Sequence, residues 1–482
     1  MAVRTLEARR TQKTVAVATS GRQPAAPAAL RTAPSGAVIT APTALATSPF
    51  GDSLRVLLNS TATWLAGLPA NPITDALQGA VWSIRRTLFP ATVGVVTAPI
   101  KVPLTQVAFC FSGANPDGSC SGTSVPRLGI WLTLGSGNTI PQFFEFDTGS
   151  AGFLAAYASS DPSASPWWGS VGVVTPGKDI DKKFDSGTEY KGVEAITTVS
   201  FYKSATDVTP LLSTGQVKVG QVDEMTTGTD KDKTTLWGPD GSDGPPIDGL
   251  FYGDFGASPT YESNGITNVL NELTFARGVQ PGFRVNYTPP ASPGEVGTWE
   301  LQIGLRDADV DDPAGAYFAM VPDASAPGGA TNSNSGTSFF AQQLFLATVH
   351  IAVPGTSPIS DVNVGITPDT GADTTVHNTD RSSQSSAITY AGITHFNSDG
   401  KTGTLGSGLP FTLSGTTTSG ESVPFFTATT DDEKDGVFVN VQNGTSAKEI
   451  YYVNTGIQLF FQNDVVYDMR RGRLGLIPVV NQ

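Results

Sequence analysis

Histidine and cysteine are scarce in this chain, with three of one and two of the other in 482 residues. That scarcity excludes most zinc chemistry, which draws on clustered His and Cys ligands. His350, His377 and His395 stand far from Cys110 and Cys120, so no metal and no cofactor is expected. The Gly-x-Ser-x-Gly elbow of many serine hydrolases is missing as well. Charged residues make up only 15%, and 29 Lys and Arg face 43 Asp and Glu, for a net charge of −14. A surface of that sign is a poor partner for nucleic acid. No uninterrupted apolar run approaches the roughly 20 residues that cross a bilayer. The first 30 residues carry basic groups without the apolar segment of a signal peptide.

What is present is glycine (53) and proline (34), with abundant Ser and Thr. That mixture suits many short strands joined by turns and argues against long helices. The length allows two or three domains and a sizeable core. Charge is unevenly spread. Residues 1–101 hold ten Lys/Arg and three Asp/Glu, a surplus of +7, which leaves −21 on the remainder. A basic head on an acidic body could cover an acidic cleft as a pro-segment; a tether with a tail is the plainer reading. Cys110 and Cys120 flank a Gly/Ser/Asn-rich loop. They read as a local disulfide, which would imply export, with two free thiols as the alternative.

Residues 1–48, rich in Ala, Pro, Thr and Ser, read as a disordered tail. Residues 49–100 read as a helical linker, because Leu54, Leu57, Leu58, Trp64 and Leu65, and then Ile73, Leu77, Val81, Trp82 and Ile84, recur at near-helical spacing. A packed hairpin or a membrane-surface role are the readings open for it. From about residue 104 the alternation becomes strand-like. Leu128–Leu134 alternates, Gly135–Asn138 turns, and Phe143-Phe144-Glu145-Phe146 runs into Asp147-Thr148-Gly149-Ser150. The same layout returns at Ala347–Val353, a turn over 354–357, and a strand ending in Asp369-Thr370-Gly371-Ala372. Strand, turn, strand, Asp-Thr-Gly is thus duplicated 222 residues apart, on the scale of a domain. Between the copies, Ile266–Gly278 reads as a single helix, and Thr206–Pro246 and Ala324–Ser338 as loop-like inserts.

Two matched carboxylates have a chemistry of their own. Held close, they cannot both ionise, so they share a proton. The ionised one can activate a water while the protonated one polarises a carbonyl. The pair titrates as a unit, and no proton is assigned to either. Glycine after Thr lets the backbone turn and bring amides to the carboxylate, and the hydroxyls of Thr148 and Thr370 can bridge the two loops. Ala372 stands where the first copy has Ser150. The missing hydroxyl predicts activity extending to less acidic pH, by up to about one unit.

These motifs resemble the pepsin-family aspartic proteases. Ile130 to Ser150 is similar to that family's first active-site hairpin. Ile247-Asp-Gly249-Leu-Phe-Tyr-Gly253 resembles the hydrophobic–Gly segment that threads behind the first Asp, and Val453-Asn-Thr-Gly456 through Pro478 resembles the family's C-terminal ending. The resemblance covers about residues 104–482. It implies an all-β, bilobal acid-protease fold with lobes at 101–285 and 286–482, catalytic Asp147 and Asp369, and support from Thr148, Gly149, Ser150, Thr370 and Gly371. It also implies a flap, placed at Phe184-Asp-Ser-Gly187-Thr-Glu-Tyr190, with Phe184 or Tyr190 as its ring. Asp185-Ser186-Gly187 mimics an active-site turn but lacks the apolar strand before it.

The run Leu65–Phe89 is similar to linkers of mycobacterial PE/PPE secreted proteins, and the whole chain then resembles the PecA-type proteases that act on exported PE proteins. The expectation is an aspartic endopeptidase, secreted or at the cell surface, a monomer taking a protein or peptide in its interlobe cleft. Association with the cell envelope stays open, and no PE-type export domain precedes the linker. The rival readings are a non-catalytic surface binding protein on the same scaffold and a structural cell-wall protein.

Overall fold

The structure is a computed structural model. It describes residues 94–110, 124–136, 139–184, 187–228, 232–242, 244–292, 295–328, 330–332, 335–352, 359–378, 393–396, 402–405, 408–430, 440–443 and 452–479. The tail and nearly all of the helical linker lie outside these residues. So do Cys120 and the side chain of Cys110, and with them the disulfide, and so do Asp185 and Ser186 of the flap.

The chain is strand-rich, as its composition suggests, and all-β and two-lobed, as the resemblance implies. One sheet of sixteen strands carries the first Asp-Thr-Gly, and one of nine carries the second. Strands after residue 285 also join the larger sheet. Gln280–Thr288 and Thr298–Leu305 pair with each other, the former with Asn463–Asp468 and the latter with Ile100–Cys110. The end of the chain is thereby stitched to its start.

Burial follows the period of two that a half-covered strand imposes. In Phe345–Ile351, residues Phe345, Ala347, Val349 and Ile351 are buried, while Leu346 and His350 face outward. Strands deeper in the sheet lose the alternation. Ala151–Ala156 and Gly253–Ala257 are buried along their whole length. Behind the first Asp-Thr-Gly, Phe255 stacks on Phe146 at 6.1 Å and meets Phe153 and Phe201 edge-on at 5.3 and 5.8 Å. In the second lobe Phe318, Phe345 and Phe425 form a similar cluster.

Three expectations are corrected. Ile266–Gly278 is not one helix. A single 3-10 turn, Val269–Glu272, is capped by the Asn268 side chain, and the chain then extends to pair Thr274–Phe275 with Val95–Val96. The apolar spacing of Ile266, Val269, Leu270 and Leu273 is real, since all four are buried, but strand pairing decides the conformation beyond Glu272. The insert 206–246 is not all loop. It contains Val217–Thr227, an eleven-residue strand between Ala151–Ala156 and Glu189–Thr197. A bulge between Val222 and Glu224 breaks its alternation, and a broken period hides a strand from pattern reading. Third, the segment running beside the first Asp is Gly253–Ala257, which begins where the expected stretch ends.

Candidate active site

Each Asp-Thr-Gly closes a strand whose apolar side chains anchor it. Gln142–Asp147 buries Phe143, Phe144 and Phe146, and Ile359–Pro368 buries Val364 and Ile366. The anchored strands deliver their loops to a common point. The Thr148 amide donates to Thr370 Oγ1 at 3.1 Å, and the Thr370 amide donates to Thr148 Oγ1, also at 3.1 Å. Each hydroxyl then donates across the junction, Thr148 to the Pro368 carbonyl at 3.0 Å and Thr370 to the Phe146 carbonyl at 2.6 Å. Both threonines are buried. Four hydrogen bonds, each contributing about 0.5–1.5 kcal/mol net and more where loss would strand a buried group, clamp the two lobes at this junction.

The glycines make the close approach possible. A Cβ on Gly149 would lie 2.2 Å from Asp369 Cγ, and one on Gly371 would lie 2.7 Å from Asp147 Cγ. Each carboxylate thus sits over the other loop's glycine. Within its own loop, Asp147 Oδ1 accepts from the Gly149 amide at 2.7 Å and Asp369 Oδ1 from the Gly371 amide at 2.8 Å. The Asp369 carboxyl is held well above the usual carboxylate range. Burial is the first cause, then the charge of Asp147 and the hydrogen bond between the two side chains. Two carboxyls held this close oppose each other's ionisation, which is the arrangement that a shared proton needs.

Several neighbours were not legible as site residues. Asn454 donates from Nδ2 to Asp369 Oδ2 at 2.6 Å, and its Oδ1 accepts from the Gly456 amide at 2.9 Å, which fixes the amide's orientation. Asp369, whose loop has Ala372 where the first has Ser150, thus takes its side-chain donor from another strand. On the other side, Ser150 donates its hydroxyl to Asp254 Oδ2 at 2.6 Å. Gln342 Nε2 donates to the Gly149 carbonyl at 3.2 Å, and its own carbonyl accepts from Thr367 Oγ1 at 3.1 Å. Glu145 is pushed up to about 8 by burial, which outweighs the attraction of Arg127; Asp147 and Asp248 push in the same direction as burial. Arg127 Nε lies 3.6 Å from Glu145, and its Nη1 is 4.0 Å from Asp373, whose carboxyl is raised chiefly by burial. A signal for Asn454 and Asp254 existed in the sequence: Asp254-Phe-Gly256 and Asn454-Thr-Gly456 share a polar-x-Gly layout downstream of their respective motifs.

The flap residues form a hairpin between Asp179–Lys183 and Glu189–Thr197. Phe184 and Gly187 make its turn, with the Gly187 amide donating to the Phe184 carbonyl at 2.9 Å and φ of 84° at Gly187. The rings of Phe184 and Tyr190 meet at 4.9 Å. Tyr190 is 4% exposed. Its hydroxyl is raised by burial first and then by Asp254, Glu145, Asp248 and Asp147. Lys182 Nζ reaches Glu262 at 2.5 Å and ties the hairpin to the loop after Ala257. Among the described residues no cluster of three or more His, Cys, Asp and Glu is arranged to hold a metal ion.

Compared with known proteins, the chain matches no family model and no curated protein. Among solved structures it is similar to the aspartic proteinase from Irpex lacteus, at 15% identity and a TM-score of 0.42, over 79% of this chain and 98% of that one. Likeness at that level leaves the reading of the site to its own geometry.

Proposed function

We propose that this protein is an aspartic endopeptidase whose dyad is Asp147 and Asp369. The observation that carries the reading is the reciprocal junction, in which two Asp-Thr-Gly loops from different sheets are clamped by their threonines with each carboxylate over the other's glycine. A water held between the carboxyls gives a proton to the ionised aspartate as its oxygen attacks the scissile carbonyl carbon. The protonated aspartate donates to the carbonyl oxygen, forming a tetrahedral diol. The newly protonated aspartate then gives its proton to the nitrogen, the C–N bond breaks as one diol hydroxyl becomes the acid's carbonyl, and that hydroxyl's proton passes to the other aspartate and returns the dyad to one proton. Thr148, Gly149, Thr370 and Gly371 hold the carboxyls in register, and Asn454 orients Asp369. The hairpin carrying Phe184, Gly187 and Tyr190 serves as the flap.

The finer reading is an enzyme secreted or held at the cell surface that processes exported proteins, with a peptide segment as its partner. The linker-like run Leu65–Phe89 supports it. The test is incubation of purified protein with a diverse peptide library and a denatured protein across acid to neutral pH, with pepstatin as inhibitor. Cleavage should be pepstatin-sensitive and fall at least about 100-fold in Asp147→Asn and in Asp369→Asn. Full activity in either variant would end the assignment. A truncation starting near residue 95, assayed at low salt, tests the basic head; activity no higher than that of the full chain would leave it a tether.

A further inference from the structure

Each Asp-Thr-Gly loop is flanked by a parallel strand, and the two flanking strands place a polar residue at the same point. Asp254 pairs with Glu145, two residues before Asp147. Asn454 pairs with Thr367, two residues before Asp369. Each is followed by one residue and a glycine, so the two positions are equivalent. Their chemistry is opposite. Asn454 gives its neighbouring aspartate a donor, which favours the charged carboxylate. Asp254 gives its neighbour another acid, which favours the protonated one.

Asp254 is a buried group that the catalytic steps leave unused. It is 3% exposed, and its Oδ1 is buried without a hydrogen-bond partner while Oδ2 accepts from Ser150. The titratable and charged groups facing it come from three strands. Glu145 and Asp147 lie on Gln142–Asp147, Lys182 on Asp179–Lys183, and Tyr190 on Glu189–Thr197. Glu145 in turn faces Arg127 and Asp248. The cation in this shell, Lys182, is itself engaged by Glu262. Burial is the first reason that the Asp254 carboxyl is raised well above its ordinary range, followed by the charges of Asp147 and Glu145.

We propose that Asp254 is a positioning residue of the dyad. It holds Ser150 from behind Asp147, and once it ionises its charge opposes loss of the proton shared by Asp147 and Asp369, so that activity extends toward neutral pH. This rests on the aspartic-protease reading. The slot thus makes the two aspartates inequivalent, one steadied by an amide and the other backed by a second acid.

The experiment compares pH profiles of kcat/KM for the full chain and for Asp254→Asn, Asp254→Leu and Glu145→Gln on one peptide substrate, with melting temperatures from pH 4 to 8. Removing a like charge should move the alkaline limb toward acid by about half to one pH unit, a three- to tenfold loss at a fixed pH on that limb. Asparagine and leucine should move it alike, because both are neutral; a purely structural role would separate them. The fall in melting temperature with rising pH should also be shallower in both, because a buried acid that resists ionisation no longer loses its proton there. An alkaline limb that stays in place or moves upward in these variants overturns the role of Asp254. So does a limb that moves only in Glu145→Gln. A wild-type chain that cleaves nothing overturns the protease reading itself, whereas an active wild type with unmoved variants overturns only this inference.

Discussion

The two Asp-Thr-Gly loops are alike in their backbones and unlike in what surrounds them. Their threonine hydrogen bonds match within a few tenths of an ångström, and their glycine amides reach the aspartates at 2.7 and 2.8 Å. Beyond that shell the symmetry ends. Asp369 accepts on both oxygens, from Gly371 and Asn454. Asp147 stands beside Glu145 and Asp254, two acids whose burial favours their protonated forms. The duplicated part is what brings two carboxyls together, and the divergent part gives each a different neighbour.

The largest effect that would break the symmetry is steric. Gly149→Ala places a methyl 2.2 Å from the Asp369 carboxyl carbon, and Gly371→Ala places one 2.7 Å from that of Asp147. Both variants should lose at least about 100-fold in kcat/KM and about 1–3 kcal/mol of stability through overpacking, with Gly149→Ala the worse. Denaturant titration together with peptide cleavage checks both; an active Gly149→Ala enzyme would mean the loops do not meet as described. Thr148→Val and Thr370→Val come next. Each strands a buried amide and a buried carbonyl, so each should cost about 2–4 kcal/mol. Because the two side chains share one clamp, the double variant should cost less than the sum. Additive losses in a double-mutant cycle would argue that the threonines act independently.

Stability should also depend on pH in a direction unusual for carboxylates. Glu145 rises from 4.5 to about 8, and Asp254 and Asp369 rise as well. A carboxyl raised in the folded state contributes stability that is complete below its unfolded value and is lost as pH climbs through its folded value. For Glu145 that window is 4.5 to 8. Melting temperature should therefore fall between those pH values, and Glu145→Gln should flatten the fall. A wild-type melting temperature that rises over this range would show these acids to be ionised throughout.

The smaller effects sharpen the contrast between the loops. Asn454→Leu removes a donor from Asp369, and since a donor favours the charged form, its loss should move the pH–activity profile toward neutral by up to about one unit. Ala372→Ser should move it toward acid, as its sequence position alone predicts. The shift should be well under one unit, because Asp369 already accepts on both oxygens. A serine shift as large as the Asn454→Leu shift would mean the amide does not substitute for the hydroxyl.

Much of the site was written in local order. Asp147, Thr148 and Gly149, and Asp369, Thr370 and Gly371, are contiguous, each follows a recognisable apolar strand, and the repetition itself identifies them. The hairpin carrying Phe184, Gly187 and Tyr190 was placed by resemblance, and the strands on either side of it do pair. The bulged strand Val217–Thr227 was not, because its period breaks at Asp223. The 3-10 turn at Val269–Glu272 was read as part of a longer helix, because burial of Ile266, Val269, Leu270 and Leu273 imposes helical spacing without requiring a helix.

The sequence by itself determined the strand-rich architecture, the duplication and the six residues at the junction, since these follow from periodicity and from chemistry within a few consecutive positions. Only the tertiary structure decided what stands behind each aspartate. Asp254 lies 107 positions after Asp147 and Asn454 lies 85 after Asp369, and each reaches its neighbour through parallel pairing, a contact between distant segments that their shared polar-x-Gly layout does not specify by itself. Whether a polar residue becomes a donor to a carboxylate or a like charge beside one depends on strand register and burial, and both are properties of the assembled sheet.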